Sequence, residues 1–271
     1  MYYRQKNLFA PRFQLSRGAG DSNTPMIISK SRLLTTMKAA FRAIGLDVGF
    51  ANTTMNEENT LRRLFRGQRV QFVLDVGANT GQFGSLVRKC GFLGPIVSFE
   101  PLAAAHGKLV ARAAHDPQWT IADRAAVGAA PGTGVINVAF NSTSSSLLGM
   151  NIRHLRAAPN SRLLHTEEVS VIPLDDCIDR YVAADSSGFL KVDAQGYELE
   201  VFRGADKCLS RRIDVIQTEL SLVELYEHQP LMLEICEALK QYNFHLRHII
   251  PGLKDPIDHS LLQFDGIFLK N

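Results

Sequence analysis

The chain has 271 residues, 45% of them hydrophobic, with 30 Lys+Arg against 27 Asp+Glu. That size carries one large α/β domain plus an extension, and the composition excludes a wholly disordered chain. No apolar run reaches the roughly 18 residues a membrane span needs, and no apolar segment with a small-residue cleavage site opens the chain, so a cytoplasmic location is expected. Cys90, Cys177, Cys208 and Cys236 are far apart, form no Cys-x-x-Cys pair and read as reduced thiols.

Residues 1–25 are punctuated by Pro11, Gly18, Gly20 and Pro25 and read as irregular. Over 29–44, Leu33, Leu34, Met37, Ala40, Phe41 and Ile44 recur at helical spacing before Gly45, which predicts an amphipathic helix. Such a helix is a candidate cap for a pocket or a face for a homodimer. A second short helix is expected at about 56–66. Residues 1–70 hold 12 Lys+Arg and 4 Asp+Glu, whereas the rest hold 18 and 23. We read 1–69 as a basic extension and 70–271 as the main domain. The basic leader is expected to be a solvated tail, with peripheral contact to an anionic membrane as the functional alternative. No nucleic-acid motif occurs in it, so no nucleic-acid partner is expected.

From residue 70, strands are expected at 71–76, 96–99, 119–122, 135–140, 168–172, 188–192, 213–219, 243–249 and 263–269. Helices are expected near 82–90, 102–114, 174–183, 197–203 and 228–241. This alternation implies a mostly parallel sheet covered on both faces. The last two strands are joined by a Pro- and Asp-containing loop, 251–259, with no helix, so the final strand should be antiparallel. The strands at 135–140 and 168–172 bracket a serine-rich loop, 142–146, and read as an insertion. That loop is expected to bond a polar substrate, to act as a lid, or to be merely mobile.

Residues 72–81 read Phe-Val-Leu-Asp-Val-Gly-Ala-Asn-Thr-Gly: a buried strand, a glycine turn, then a helix. A second apolar strand ends at Glu100, where an acid can take both hydroxyls of a ribose. Gly77, Gly81 and Gly84 do not have the dinucleotide Gly-x-Gly-x-x-Gly spacing, and the Walker lysine pattern is absent. A nicotinamide pocket and a strand-turn-helix without a ligand are the alternatives. The pattern Asp75-x-Gly77-x-x-x-Gly81 resembles motif I of the class I methyltransferases that use S-adenosylmethionine. That resemblance implies a Rossmann-like, mostly parallel seven-stranded sheet with an antiparallel last strand, here with an N-terminal helical extension. Asp75 would act near the ammonium of the cofactor, directly or through water. Asp123 and Arg124 close the third strand, where adenine contacts usually lie in that class.

A second set of residues narrows the resemblance. Leu190-Lys-Val-Asp-Ala-Gln-Gly-Tyr-Glu-Leu-Glu200, Phe99-Glu-Pro101, Gln217-Thr-Glu219 and Phe264-Asp-Gly-Ile-Phe268, together with Asp75–Gly81, resemble the FkbM-type methyltransferases over about 70–270. The family implies methyl transfer to a hydroxyl oxygen of a sugar, or of a polyketide- or lipid-derived natural product. It points to Asp75, Gly77, Ala78, Asn79, Gly81, Glu100 and Pro101 for the cofactor, and to Asp193 for the reaction centre. The family usually carries Asp-x-Glu-Gly where this chain has Asp193-Ala-Gln195-Gly196, which weakens the case for a divalent metal.

A sugar hydroxyl is a poor nucleophile at neutral pH, so a base or a metal should act on its proton. The candidates are Asp193, Glu219, His228 and His259. Asp193 and Glu219 fall at adjacent strand ends and are candidate Mg²⁺ ligands as well. Capping of the next helix is the bland role for Asp193, an ion pair or cap for Glu219, and simple exposure for His228. The expected function is an O-methyltransferase for a small-molecule or glycolipid hydroxyl. The alternatives are methylation of a macromolecular nitrogen and a non-catalytic scaffold that keeps the fold.

Overall fold

The computed structural model describes residues 57–67 and 70–271. The expected helix at 29–44 and the basic leader as far as residue 56 lie outside the described residues.

Helix α1 (Glu57–Gly67) carries acids in its first turn and buries Thr60, Leu61 and Leu64 on one face. The element Phe72–Val76 (β1) is buried at every position. That burial is what a central parallel strand covered on both faces requires. Helix α2 (Gln82–Lys89), β2 (Ile96–Phe99), α3 (Ala103–Ala113) and β3 (Trp119–Ile121) follow. The chain then leaves the main sheet through β4 (Ala126–Val127), β5 (Gly132–Ala139), α4 (Ile152–Ala157) and β6 (Leu163–Ile172). It returns through β7 (Gly188–Val192), α5 (Glu198–Arg203), α6 (Asp206–Arg211), β8 (Ile213–Ser221), α7 (Met232–Lys240), β9 (Phe244–Pro251) and β10 (Gln263–Lys270).

The main sheet has seven strands in the order β3-β2-β1-β7-β8-β10-β9. The first five are parallel, and β10 runs antiparallel to both β8 and β9. The alternation implied the parallel, doubly covered sheet, and the complete order is the Rossmann-like class I methyltransferase arrangement that the motif I resemblance implied. The helix-free link between β9 and β10 allows only an antiparallel neighbour, because a parallel one needs a crossover. The insertion is a second, three-stranded sheet, β4-β6-β5. Two apolar clusters flank the main sheet. One holds Phe72, Leu74, Phe99, Leu190 and Ile216; the other holds Leu61, Val73, Phe83, Leu109 and Phe189. Among the described residues no helix is long and apolar enough to cross a membrane. The four cysteines are free thiols.

Two expected helices differ. The segment 174–183 is a pair of 3₁₀ turns, Leu174–Asp176 and Ile178–Arg180. Its apolar residues keep helical spacing, but the Asp175 carboxylate is drawn away to accept from the Lys207 and Cys208 amides that open α6. The helix expected over 228–241 is α7 and starts only at Met232. His228 is left-handed, with φ 59°, and Pro230 restricts the residue before it. Helices α4 and α6 and strand β4 were not expected. Each spans six residues or fewer, too short for a periodic signal.

Candidate active site

The turn from β1 into α2 is built by close approach. Gly77 has φ 77°, and a Cβ there would lie 1.9 Å from the Asp193 carbonyl oxygen. The Asp193 amide in turn donates to the Val76 carbonyl at 3.0 Å, so the ends of β1 and β7 are stitched together. Gly77 and Ala78 both donate to the Phe99 carbonyl, each at 3.0 Å. The Asn79 amide donates to Glu100 Oε2 at 2.8 Å, and the Leu102 amide to Glu100 Oε1 at 2.8 Å. The turn therefore spends its amides inside the protein. What it offers a ligand is backbone proximity and a carboxylate held rigidly at both oxygens. Burial of Glu100 pushes its carboxyl up to about 7, against the pull of those two amides.

Two adjoining cavities open at this end of the sheet and share Gly77, Asn79, Thr143 and Asp193 as walls. The first is lined by Phe99, Leu102, Ala126, Val127, Ile136 and Leu147, with Glu100 and Pro101 at its side. It suits a flat apolar group carrying a diol. The second is polar and acidic, lined by Glu57, Asp75, Gln82, Lys191 and Asp265, with Ala78 and Phe83. It offers carboxylates to an ammonium and Lys191 to a carboxylate, the two charges of a zwitterion. Base, diol and zwitterionic tail are the parts of S-adenosylmethionine, and the donor set fits that cofactor.

Asp75 is fully buried, and its Oδ2 accepts from Ser98 Oγ at 3.2 Å. Trp119 Nε1 donates to the same hydroxyl at 3.0 Å, which fixes the direction of the serine proton. Burial raises the Asp75 carboxyl to about 7, with Lys191 opposing. Lys191 Nζ is 3.3 Å from both Asp193 Oδ2 and Asp265 Oδ1. Burial alone would lower the Lys191 pKa, but Asp193, Asp265, Glu219 and Glu57 outweigh it and keep the ammonium charged. Glu57, on α1, accepts from Gln217 Nε2 at 2.7 Å, so that helix contributes a wall of the second cavity.

Asp193 and Glu219 do converge, through Gln195. Its Nε2 is 2.7 Å from Asp193 Oδ1 and 2.7 Å from Glu219 Oε2. Burial and the Asp193 charge hold the Glu219 carboxyl well above the usual carboxylate range. Among the described residues no group of three or more His, Cys, Asp or Glu side chains is placed to hold a metal ion. Between the two carboxyl groups stands an N–H donor where Mg²⁺ needs oxygen lone pairs. The residues present do not fit a divalent cation.

The other candidates lie elsewhere. His228 is exposed and lines another pocket with Tyr197, Arg203 and Glu234; Tyr197 also lines the first cavity, but His228 does not. His259 is exposed in the β9–β10 loop. Asp123 and Arg124 are exposed, and Ala125, Ala126 and Val127 line the first cavity in their place. Arg124 is engaged with Glu167 at 3.3 Å. Gly81 is left-handed, with φ 87°, and is the N-cap of α2 rather than a wall of either cavity. The serine-rich loop is tied down. Ser142 Oγ bonds the Asn79 side chain at 3.1 Å, Ser144 bonds Ser161 at 2.9 Å, and Ser146 Oγ donates to the Gln195 carbonyl at 2.7 Å.

Sequence reasoning passed over Lys191, Asp265, Glu57, Ser98 and Tyr226. A lysine inside the apolar run Phe189-Leu-Lys-Val was the one available signal, since an unpaired lysine is almost never buried.

A search of the curated proteins found no match. Among solved structures, the chain is similar to a TehB-like SAM-dependent methyltransferase from Corynebacterium glutamicum, with 11% identity, 89% of this chain and 98% of that chain covered, and a TM-score of 0.39. It is similar to the Burkholderia thailandensis 1,6-didemethyltoxoflavin-N1-methyltransferase, with 12% identity, 93% of each chain and a TM-score of 0.39. It is also similar to Aeropyrum pernix fibrillarin with natively bound S-adenosyl-L-methionine, with 11% identity, 73% and 67% covered, and a TM-score of 0.39. The family model described as the methyltransferase FkbM domain matches residues 75–246, well over half of the chain. The glycine turn, the two cavities beside it and this match agree: the chain belongs to the FkbM methyltransferase family and is an S-adenosylmethionine-dependent methyltransferase.

Proposed function

We propose that the chain methylates a hydroxyl oxygen of a sugar, glycolipid or polyketide-type natural product. The observation that carries this reading is the position of Asp193, a carboxylate on the wall shared by the two cavities. S-adenosylmethionine supplies an electrophilic methyl group when bound. The remaining work is positioning and proton removal. Asp193 accepts the hydroxyl proton as the oxygen attacks the methyl carbon, and the carbon–sulfur bond pair stays on sulfur. Lys191 and Gln195 hold the two Asp193 oxygens by separate donors, which fixes the direction in which the carboxylate faces. Glu100 takes the ribose hydroxyls, and Asp75 and Lys191 take the ends of the amino acid tail. Gly77, Ala78, Asn79 and Pro101 give the walls, while Gly81 sets the turn. Glu219 acts through Gln195 rather than on the acceptor. A carboxylate base suits a neutral hydroxyl, and the segment Asp193-Ala-Gln-Gly offers no Asn/Asp-Pro-Pro-Tyr/Phe motif for a flat nitrogenous acceptor.

The test is incubation of the full chain with methyl-labelled S-adenosylmethionine and host extract split into lipid and aqueous small-molecule fractions. Base-stable ether label, lost with Asp193→Asn, is the expected result. Label on nitrogen of protein or nucleic acid, or label undiminished by Asp193→Asn, overturns the proposal.

A further inference from the structure

The space between the Asp193 and Glu219 carboxyl groups is filled by one side-chain amide. Both N–H groups of Gln195 Nε2 are used, one on each carboxyl group, at 2.7 Å. Its Oε1 accepts from the Tyr226 hydroxyl at 2.6 Å. The same hydroxyl lies 3.1 Å from the Ser144 carbonyl, so the amide's orientation is set by its two carboxyl contacts, against which a flipped carbonyl would stand. The amide is held from several sides. Gln195 and Gly196 are consecutive left-handed residues, with φ 51° and 94°, so the chain folds back over the end of β7. Ser146 of the insertion grips the Gln195 carbonyl at 2.7 Å. Tyr226 is wholly buried, and its ring meets His154 edge-on with centroids 5.0 Å apart.

A divalent cation between Asp193 and Glu219 would need lone pairs from every neighbour. It would meet two N–H groups instead, with the Lys191 ammonium on the far oxygen of Asp193. Turning the amide over would break both carboxyl contacts, while the Tyr226 hydroxyl could donate to the Ser144 carbonyl 3.1 Å away instead.

We infer that the Gln195 carboxamide takes the place of a divalent cation at the reaction centre, positioning Asp193 with neutral donors so that methyl transfer proceeds without a metal. Gln195 is then a positioning residue, and the neighbouring carboxyl groups are a cation site that lacks one ligand. Gln195→Glu would place a third carboxylate among them and complete it. The role assigned to Asp193 rests on the proposed function, but the cation chemistry does not.

The experiment is a Mn²⁺ titration of the full chain followed by electron paramagnetic resonance. The wild type is expected to bind no stoichiometric Mn²⁺ below about 1 mM, the weak end of protein carboxylate sites. Gln195→Glu is expected to bind one equivalent at least about tenfold more tightly, as added ligand charge dictates. The added site should disappear in the double variant with Asp193→Asn. Wild-type binding of one equivalent that Asp193→Asn removes would overturn the inference. So would a Gln195→Glu protein that folds, binds S-adenosylmethionine and gains no Mn²⁺ affinity. Should that variant fail to fold, the wild type decides alone. Its labelling of extract should be unchanged by chelator, and loss of label that Mn²⁺ restores overturns the inference. A wild type that labels nothing at all would count against the proposed function and leave the Mn²⁺ titration intact.

Discussion

Glu100 is the residue proposed to take the ribose hydroxyls. Both of its oxygens already accept a backbone amide, and ribose hydroxyls must use the remaining lone pairs, which only the ionised carboxylate offers in full. With its carboxyl at about 7 in the unliganded protein, protonation competes with the cofactor. Affinity for S-adenosylmethionine should therefore be about tenfold weaker at pH 6 than at pH 8, the ratio of ionised fractions around a pKa of 7. Calorimetry across that range checks it, and a flat profile would show that Glu100 does not hold the ribose. Asp75 adds a stability term of known sign. Its carboxyl is raised from 3.8 to about 7 by burial. Below about pH 4 it is neutral folded and unfolded, and this contribution is complete. As pH rises toward 7 the unfolded chain ionises first and the contribution is lost. Asp75→Asn removes that penalty, so its stabilising effect should be about 2–3 kcal/mol larger at pH 8 than at pH 5. Thermal or urea melts at the two pH values measure the difference, and the same variant should bind the cofactor less tightly.

Elements decide how such residues meet. The β1–α2 turn needs Gly77 for two independent reasons, a left-handed backbone and the Asp193 carbonyl 1.9 Å from any Cβ. Gly77→Ala should cost at least about 2 kcal/mol, since the left-handed penalty for a side chain is itself 1–2 kcal/mol before the overlap is relieved. Denaturant unfolding reports the loss. A variant as stable as the wild type would mean the turn has another conformation. Helix α1 was read as part of an extension, yet it buries Leu61 and Leu64 against the sheet and lends Glu57 to the second cavity. Elements with strong apolar periodicity or unbroken apolar runs were legible to within a few residues, as in β1, β2, α2, α3 and β7. The 174–183 segment was not, because Asp175 serves the distant start of α6. No local pattern records that service.

At the scale of the whole molecule, the site is assembled from α1, both sheets and the final hairpin. Lys191 of β7 meets Asp193 at the end of its own strand and Asp265 of β10, one strand removed across β8. Around it also lie Glu57 and Glu219. Lys191 is buried but Asp193 and Asp265 are 37% and 27% exposed, so removing the ammonium leaves carboxylates that water reaches in part, at a cost of about 1–3 kcal/mol. Lys191→Met should lower stability by that order in urea unfolding. A stability loss under about 1 kcal/mol would mean the carboxyl groups repartition their protons instead.

By itself the sequence determined the sheet and a nucleotide-type pocket, and the resemblance of its motifs to a known family implied the cofactor class. Apolar runs alternating with helical periodicity imply a covered parallel sheet, and Asp75, the glycine turn and Glu100 sit at fixed distances along adjoining strands. Local chemistry carried those features. Only the tertiary structure decided that His228 and His259 stand away from the cavities, that Ala125 to Val127 replace Asp123 and Arg124 in the lining, and that Gln195 bridges Asp193 and Glu219. Each of these depends on the direction of a side chain relative to residues far off in the chain. Strand register and the left-handed turn at Gln195–Gly196 set those directions, and neither leaves a periodic signal in the sequence.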